Sequence, residues 1–201
     1  MCCTMSTATA TTKERILDAA EELMLAKSFH SVGLNEILSA VKVPKGSFYH
    51  YFTSKEQFGA ELIRHYVTEA TAYKRRLLLT EEMDPNPLER LTAYHNGCIA
   101  KMLENQCQPA CLVIKLSAEV ANMSDDMRSV LADGMAEWRG IFEEIVREGQ
   151  TKGVMRADID PAAAGALLHD YWLGAMQRTM VQRNVASLRT ATAFIREYLA
   201  A

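Results

Sequence analysis

The chain has 201 residues, 49% hydrophobic and 23% charged, with a formal net charge of −3. That length holds one ordinary domain or two small ones with a sizeable core, and the composition excludes a disordered chain. The charge excludes a polycation that coats nucleic acid indiscriminately, and no stretch approaches the roughly 18 consecutive apolar residues of a membrane span.

Only five prolines and ten glycines interrupt the chain, and Val and Ile never gather into alternating runs. The expectation is a mostly helical protein. The opening MCCTMSTATATT lacks a basic segment followed by an apolar one, so residues 1–11 are expected to form a disordered tail rather than a secretory signal. Five cysteines, an odd number without metal-site spacing, read as reduced thiols of a cytoplasmic protein. No metal and no cofactor is expected.

Thr11 and Glu14 have capping-box spacing, and Ile16, Leu17, Ala20, Leu23 and Met24 follow at helical intervals. They predict a first helix over residues 12–27. After a break at 28–32, Gly33 serves as the N-cap of a second helix with Leu34, Ile37 and Leu38 inward. Pro44 then disfavours helix at Val43 and suits the first turn of a third helix. Two short helices meeting at a tight turn have helix-turn-helix proportions.

The chain holds 15 aromatic residues (Phe 6, Trp 2, Tyr 7), and five of them fall within VPKGSFYHYFTSKEQFG, residues 43–59. At 100° per residue, Phe48 and Phe52 share one side of the third helix. Gly46, Ser47 and His50 point the other way, with Tyr49 and Tyr51 on the flanks. Between Glu36 and Glu56 the only formal charges are Lys42, Lys45 and Lys55. Gly46 lets a backbone approach closely, and Lys45 adds charge at an anion-favouring helix start.

Ser54 and Gln57 form a second capping box, opening a long helix that carries Phe58, Leu62, Ile63, Tyr66, Ala70, Tyr73 and Leu77. Further helices are predicted over 87–105, 109–121, 124–150, 160–182 and 187–200. The helix from Ser124 carries Met127, Leu131, Trp138, Ile141 and Ile145 at near-heptad spacing, and the one from Asp160 is rich in Ala and Gly. This pair is the predicted dimer face, building a four-helix bundle with a second copy.

The residues Ile16 to Ala20, Ile37, Lys45 to Phe52 and Ser54-Lys-Glu resemble the DNA-binding domain of TetR-family transcriptional regulators. The resemblance implies an all-α fold: a helix-turn-helix DNA-binding domain over 12–58 fused to a helical effector-binding and dimerisation domain over 59–201. The family usually has glycine where Lys42 stands, so either the turn differs or the lysine bears a strained positive φ. Residues 110–120 and 124–129 also resemble the electrophile-responsive type of repressor that governs N-ethylmaleimide reductase. That implies a regulator of detoxifying oxidoreductases that senses reactive compounds through a thiol. One recognition helix per subunit and two-fold symmetry lead to the expectation of a homodimeric repressor on an inverted-repeat operator of double-stranded DNA, released by a small molecule or electrophile. The DNA-binding candidates are Lys42, Lys45, Gly46, Ser47, Tyr49, His50, Tyr51 and Lys55.

Pro109 is expected to set Cys111 in the first turn of a helix, with Lys115 one turn on; both favour the thiolate. Cys111 is therefore the candidate sensor, with Cys107 and Cys98 as possible partners, against the commoner fate of a packed structural cysteine. Cys2 and Cys3 read as incidental. His95, Trp138, Phe142, His169, Tyr171, Trp172 and Met176 are candidates to line an effector pocket, against ordinary core packing. No catalytic constellation appears: there is no phosphate-binding glycine loop and no H-E-x-x-H. A thiol-dependent enzyme lacks a C-x-x-C and a βαβ context, and a helical adaptor using the motif for protein contacts would show no salt-dependent DNA binding.

Overall fold

The computed structural model describes residues 10–108, 111–120 and 124–201. Most of the predicted tail, Cys2, Cys3, Pro109 and the last residue predicted for the sixth helix lie outside them. Among the described residues there are nine helices: α1 (Thr12–Ala26), α2 (Leu34–Val41), α3 (Lys45–Tyr51), α4 (Lys55–Leu79), α5 (Pro87–Glu104), α6 (Leu112–Val120), α7 (Asp125–Thr151), α8 (Pro161–Gln182) and α9 (Ala186–Leu199). The only strand-like pairing among them is one bridge, Met155 to Ala200. No helix is long and apolar enough to cross a membrane.

The chain divides into two compact units, residues 1–70 with 111–134, and residues 71–110 with 135–201. In the first, α1 starts on the predicted capping box: Glu14 N–H donates to Thr11 Oγ1 at 3.2 Å and Thr11 N–H to Glu14 Oε2 at 2.7 Å. The second box forms only in half. Gln57 N–H donates to Ser54 Oγ at 3.0 Å, but the Gln57 side chain turns back to the N–H of Thr53, one residue earlier.

The turn between α2 and α3 resolves the question at Lys42. Lys42 adopts the left-handed conformation, φ 56° and ψ 41°. The N–H of Val43 reaches Leu38 O at 3.0 Å and that of Lys42 reaches Ser39 O at 3.3 Å, the paired bonds of a Schellman ending. Arg15 holds the same turn from α1, donating to Val41 O at 2.8 Å. The lysine therefore bears about 1 kcal/mol of backbone cost where glycine would bear none. Pro44 does not enter the first turn; extended (φ −62°, ψ 144°), it stands just before α3 as its N-cap.

Phe48, Phe52 and Phe58 pack ring against ring, with centroids 4.9, 5.3 and 5.0 Å apart, and all three are buried. Aromatic edges on aromatic faces fix the angle of α3 to the start of α4. Helix α6 belongs to this unit and is tied to the α1–α2 connection. Lys115 Nζ donates to Leu25 O at 2.7 Å, and Glu119 Oε2 accepts from the N–H of Phe29 at 2.8 Å.

In the second unit, α8 lies directly on α7. A Cβ on Gly165 would stand 2.7 Å from Glu143 N and 2.8 Å from Arg139 O, so only glycine lets the two backbones meet. Arg139 and Asp170 clasp the pair, with contacts of 2.7 and 2.8 Å.

This packing changes the predicted dimer face. Met127, Leu131, Trp138, Ile141 and Ile145 of α7 are all buried within the subunit. So are Ala164, Gly165 and Ala175. The large apolar side chains left exposed in this unit are Leu167, Tyr171 and Val181 on α8 and Phe194 on α9, together with the scattered Tyr73, Met83 and Leu103. Tyr171 and Phe194 stack edge to face at 5.3 Å, with Tyr198 next to Phe194 at 6.0 Å, forming one exposed stripe across α8 and α9. The free face is α8–α9 rather than α7–α8, because α7 spends its heptad-like stripe on its own subunit.

Candidate nucleic-acid interface and effector cluster

Helix α3 carries its two faces as its periodicity predicts. Phe48 is buried, whereas Lys45, Gly46 and His50 are exposed, Ser47 and Tyr51 half-buried, and Tyr49 58% exposed. Tyr49 touches the core only through its edge contact with Phe48, centroids 5.5 Å apart, and the rest of its ring and its hydroxyl stand open beside the lysines. A Cβ added at Gly46 would meet nothing within 4 Å, so no neighbour in the chain requires the missing side chain. Lys42 and Lys55 are exposed on either side of α3, and the Lys55 ammonium lies 5.2 Å from the Phe29 ring centre. No acidic side chain lies between Glu36 and Glu56. The surface is short, positive and aromatic, suited to a polyanion with base edges between its charges.

Residues 16–62 match the family model for bacterial regulatory proteins of the tetR family, and residues 87–195 match that for the tetracyclin repressor-like C-terminal domain. The chain belongs to the TetR family. It is thus a helix-turn-helix transcriptional regulator rather than an enzyme. The transcriptional repressor NemR of Escherichia coli K12 is 34% identical over 191 residues, 94% of each chain, and the transcriptional regulator AcuR of Cereibacter sphaeroides is 34% identical over 181 residues, covering 89% of this chain and 81% of AcuR. Among solved structures, reduced E. coli NemR superposes with a TM-score of 0.84 at 32% identity over 94% of this chain and 97% of its own. A TetR regulatory protein from Rhodobacter sphaeroides matches at 0.84 and 30% identity, covering 95% of this chain and all of that one.

In this TetR-family chain the predicted sensor stands elsewhere than expected. Helix α6 begins at Leu112, and Cys111 precedes it, its carbonyl accepting from Lys115 N–H at 3.2 Å. Cys111 is half-buried at the N-cap position rather than in the first turn. The Lys115 ammonium is not waiting for a thiolate: it holds Leu25 O, and burial pushes its pKa down, with Glu119 opposing. Cys107 is buried at the end of α5, left-handed (φ 58°) like its neighbour Gln106, and belongs with half-buried Cys98 to the second unit.

All seven pocket candidates belong to the second unit, and five of them form one cluster of rings. Trp172 stacks on His95, centroids 4.1 Å apart and planes 18° off parallel; Phe142 lies 6.5 Å from His95 and 6.4 Å from His169; Trp138 lies 6.4 Å from His169. Met176, one turn beyond Trp172, is also buried. Tyr171 is not in this group; it faces out with Phe194. Trp138 is fixed by its Nε1–H to Thr71 Oγ1 at 2.9 Å, and the Lys74 ammonium sits 3.6 Å from the centre of its ring.

The sequence reading passed over Glu119 and Arg15, both of which tie the DNA-binding helices in place. Glu119 had a signal: with Lys115 it is one of the two charges in the nine-residue α6, four apart. Such a pair suits an i,i+4 contact but serves here to grip neighbouring backbone.

Proposed function

We propose that this chain is a homodimeric repressor that binds an inverted-repeat operator through α3, and that a small molecule or electrophile releases it. The exposure of Tyr49 beside Lys45, Gly46 and His50, on a helix whose other face is a closed phenylalanine core, carries the reading. One α3 per subunit fits one major-groove half-site, and two-fold symmetry demands two such half-sites in inverted order. Residues 12–58 act as the reading unit, and residues 59–201 as the effector and dimerisation part. Lys42 and Lys55 serve the phosphates. Lys45 and Gly46 seat the helix start on the backbone, while Ser47, Tyr49, His50 and Tyr51 face the bases.

Lys55→Ala is expected to weaken binding about equally for every operator variant and to lower the salt slope by about one unit. His50→Ala should instead change the ranking of operators differing at one base pair. Titrations at several salt concentrations decide it; equal losses on every sequence for both changes would show the faces misassigned.

The exposed α8–α9 stripe supplies the dimer contact in this reading. Phe194→Glu puts two like charges near the two-fold axis, so a folded monomer with at least about 100-fold weaker operator binding is expected. Sedimentation and gel shift measure both, and an unchanged dimer would move the interface elsewhere.

Cys111 is the proposed point of electrophile attack. It directly precedes α6, and α6 grips the α1–α2 connection through Lys115 and Glu119. A group added to its sulfur would shift that grip and with it the helix-turn-helix; helix movements of about 1–2 Å are typical of switching. Cys111→Ser should bind operator normally yet stay bound after N-ethylmaleimide or a quinone is added. Release as ready as the parent's would make the thiol packing material and leave a reversible ligand as the signal.

A further inference from the structure

Among the described residues of the second unit, four buried polar atoms lack a hydrogen-bond partner: Nδ1 and Nε2 of His95, Nε2 of His169 and Oγ1 of Thr179. Their residues are 1%, 4% and 0% exposed. Buried polar atoms are nearly always paired, so the two histidines, both beside the Phe142 ring, mark a place where something polar belongs, with Thr179 about 15 Å further along α8. His169, Trp172, Met176 and Thr179 follow at steps of three and four along α8, hence on one face. His95 stacks on Trp172, and Phe142 borders both histidines.

Hydrogen-bond chemistry narrows the occupant. The Asp170 carboxylate is held ionised by Arg139 and accepts from His169 Nδ1 at 3.0 Å. The neutral ring then carries its proton on Nδ1, and Nε2 is left with a lone pair. Neutral His95 offers one N–H and one further lone pair, and Thr179 a hydroxyl. None of these unpartnered atoms carries a charge, and the bordering cations are already engaged, Arg139 with Asp170 and Lys74 on the Trp138 ring, so a charged group would be buried without a counterpart of its own. The complement is a flat molecule that slides along aromatic rings, donates at least one O–H or N–H, and accepts at another oxygen.

We propose that this aromatic cage binds an uncharged, planar hydroxy-aromatic molecule bearing a carbonyl oxygen, with His95 and His169 Nε2 as its hydrogen-bond partners. It rests on the reading of the chain as an effector-controlled regulator, for which it names the ligand class.

Both tryptophans of the chain, Trp138 and Trp172, lie in the cage, so their fluorescence reports occupancy. The full chain is titrated with methyl 4-hydroxybenzoate, with methyl benzoate, which lacks the donor, and with the 4-hydroxybenzoate anion. The hydroxy ester should quench saturably at one site per subunit, the other two at least about tenfold more weakly, the worth of one buried hydrogen bond. His95→Phe keeps the ring and removes the orphaned nitrogens. It should melt about 2–6 °C higher yet bind the ester at least about tenfold more weakly. Absence of saturable quenching, equal affinity for all three probes, or a His95→Phe chain that binds like the parent would each overturn the proposal. Ester binding that leaves operator bound in a gel shift keeps the cage and refutes release by this ligand. Operator binding without ester binding refutes the cage and leaves the DNA reading intact.

Discussion

Replacing Arg90 by alanine is expected to destabilise the chain by about 2–4 kcal/mol, the cost of leaving the acceptors of a fully buried guanidinium without their donor. Arg90 is 1% exposed. Its Nε donates to Leu78 O at 2.8 Å, one terminal nitrogen to Asp84 O at 2.9 Å, and the other to the Glu148 carboxylate. One planar guanidinium thus closes the end of α4, the turn at Asp84 and the last turns of α7. Alanine leaves the two carbonyls unserved, while the Glu148 carboxylate keeps only the Lys152 ammonium at 2.8 Å. Arg90→Lys restores the charge but not the fork and should recover less than half of the loss. Urea unfolding measures both, and a cost below about 1 kcal/mol for alanine would contradict this account of the second unit.

Glu21→Gln should stabilise the chain in a pH-dependent way. Glu21 is 5% exposed, and burial, followed by the nearby charges of Glu69, Asp18 and Glu22, raises its pKa from 4.5 to about 7 against the pull of His65. A raised folded pKa means that the native state binds the proton more tightly than the unfolded chain. Its favourable contribution is therefore complete below pH 4.5 and lost as pH rises to about 7. Glutamine stays neutral throughout. The variant should gain about 3 kcal/mol over the parent at pH 8, shrinking to under about 1 kcal/mol at pH 5. A gain independent of pH would make it a packing effect, and no gain at pH 8 would mean that the carboxylate ionises without penalty.

The first four helices were legible because their signals are local. A capping box, a proline after a tight turn and a four-residue phenylalanine repeat each act within one or two turns of chain. Lys42 was legible as a question, and the Schellman bonds answer it. What the sequence left open is pairing at long range. The near-heptad stripe of α7 says that a face is buried but not against what, so a face packed inside the subunit read as one offered to a second copy. Tyr171 failed for the same reason, being an aromatic on a helix with two apolar sides. Arg90 and Glu21 look like ordinary surface charges on helices, because their partners lie up to 58 and 48 residues away. The position of Cys111 depends on where α6 begins, and helix ends are fixed by caps that a single sequence shows only partly.

The measurement that bears most directly on DNA recognition is selection of bound duplexes from a random pool by the full-length chain, repeated after N-ethylmaleimide. Enrichment of an inverted repeat, its half-sites about one helical turn or somewhat more apart, and loss of that enrichment with the electrophile are expected. Direct repeats, a single half-site bound at full affinity, or a pool that emerges unenriched would contradict the account.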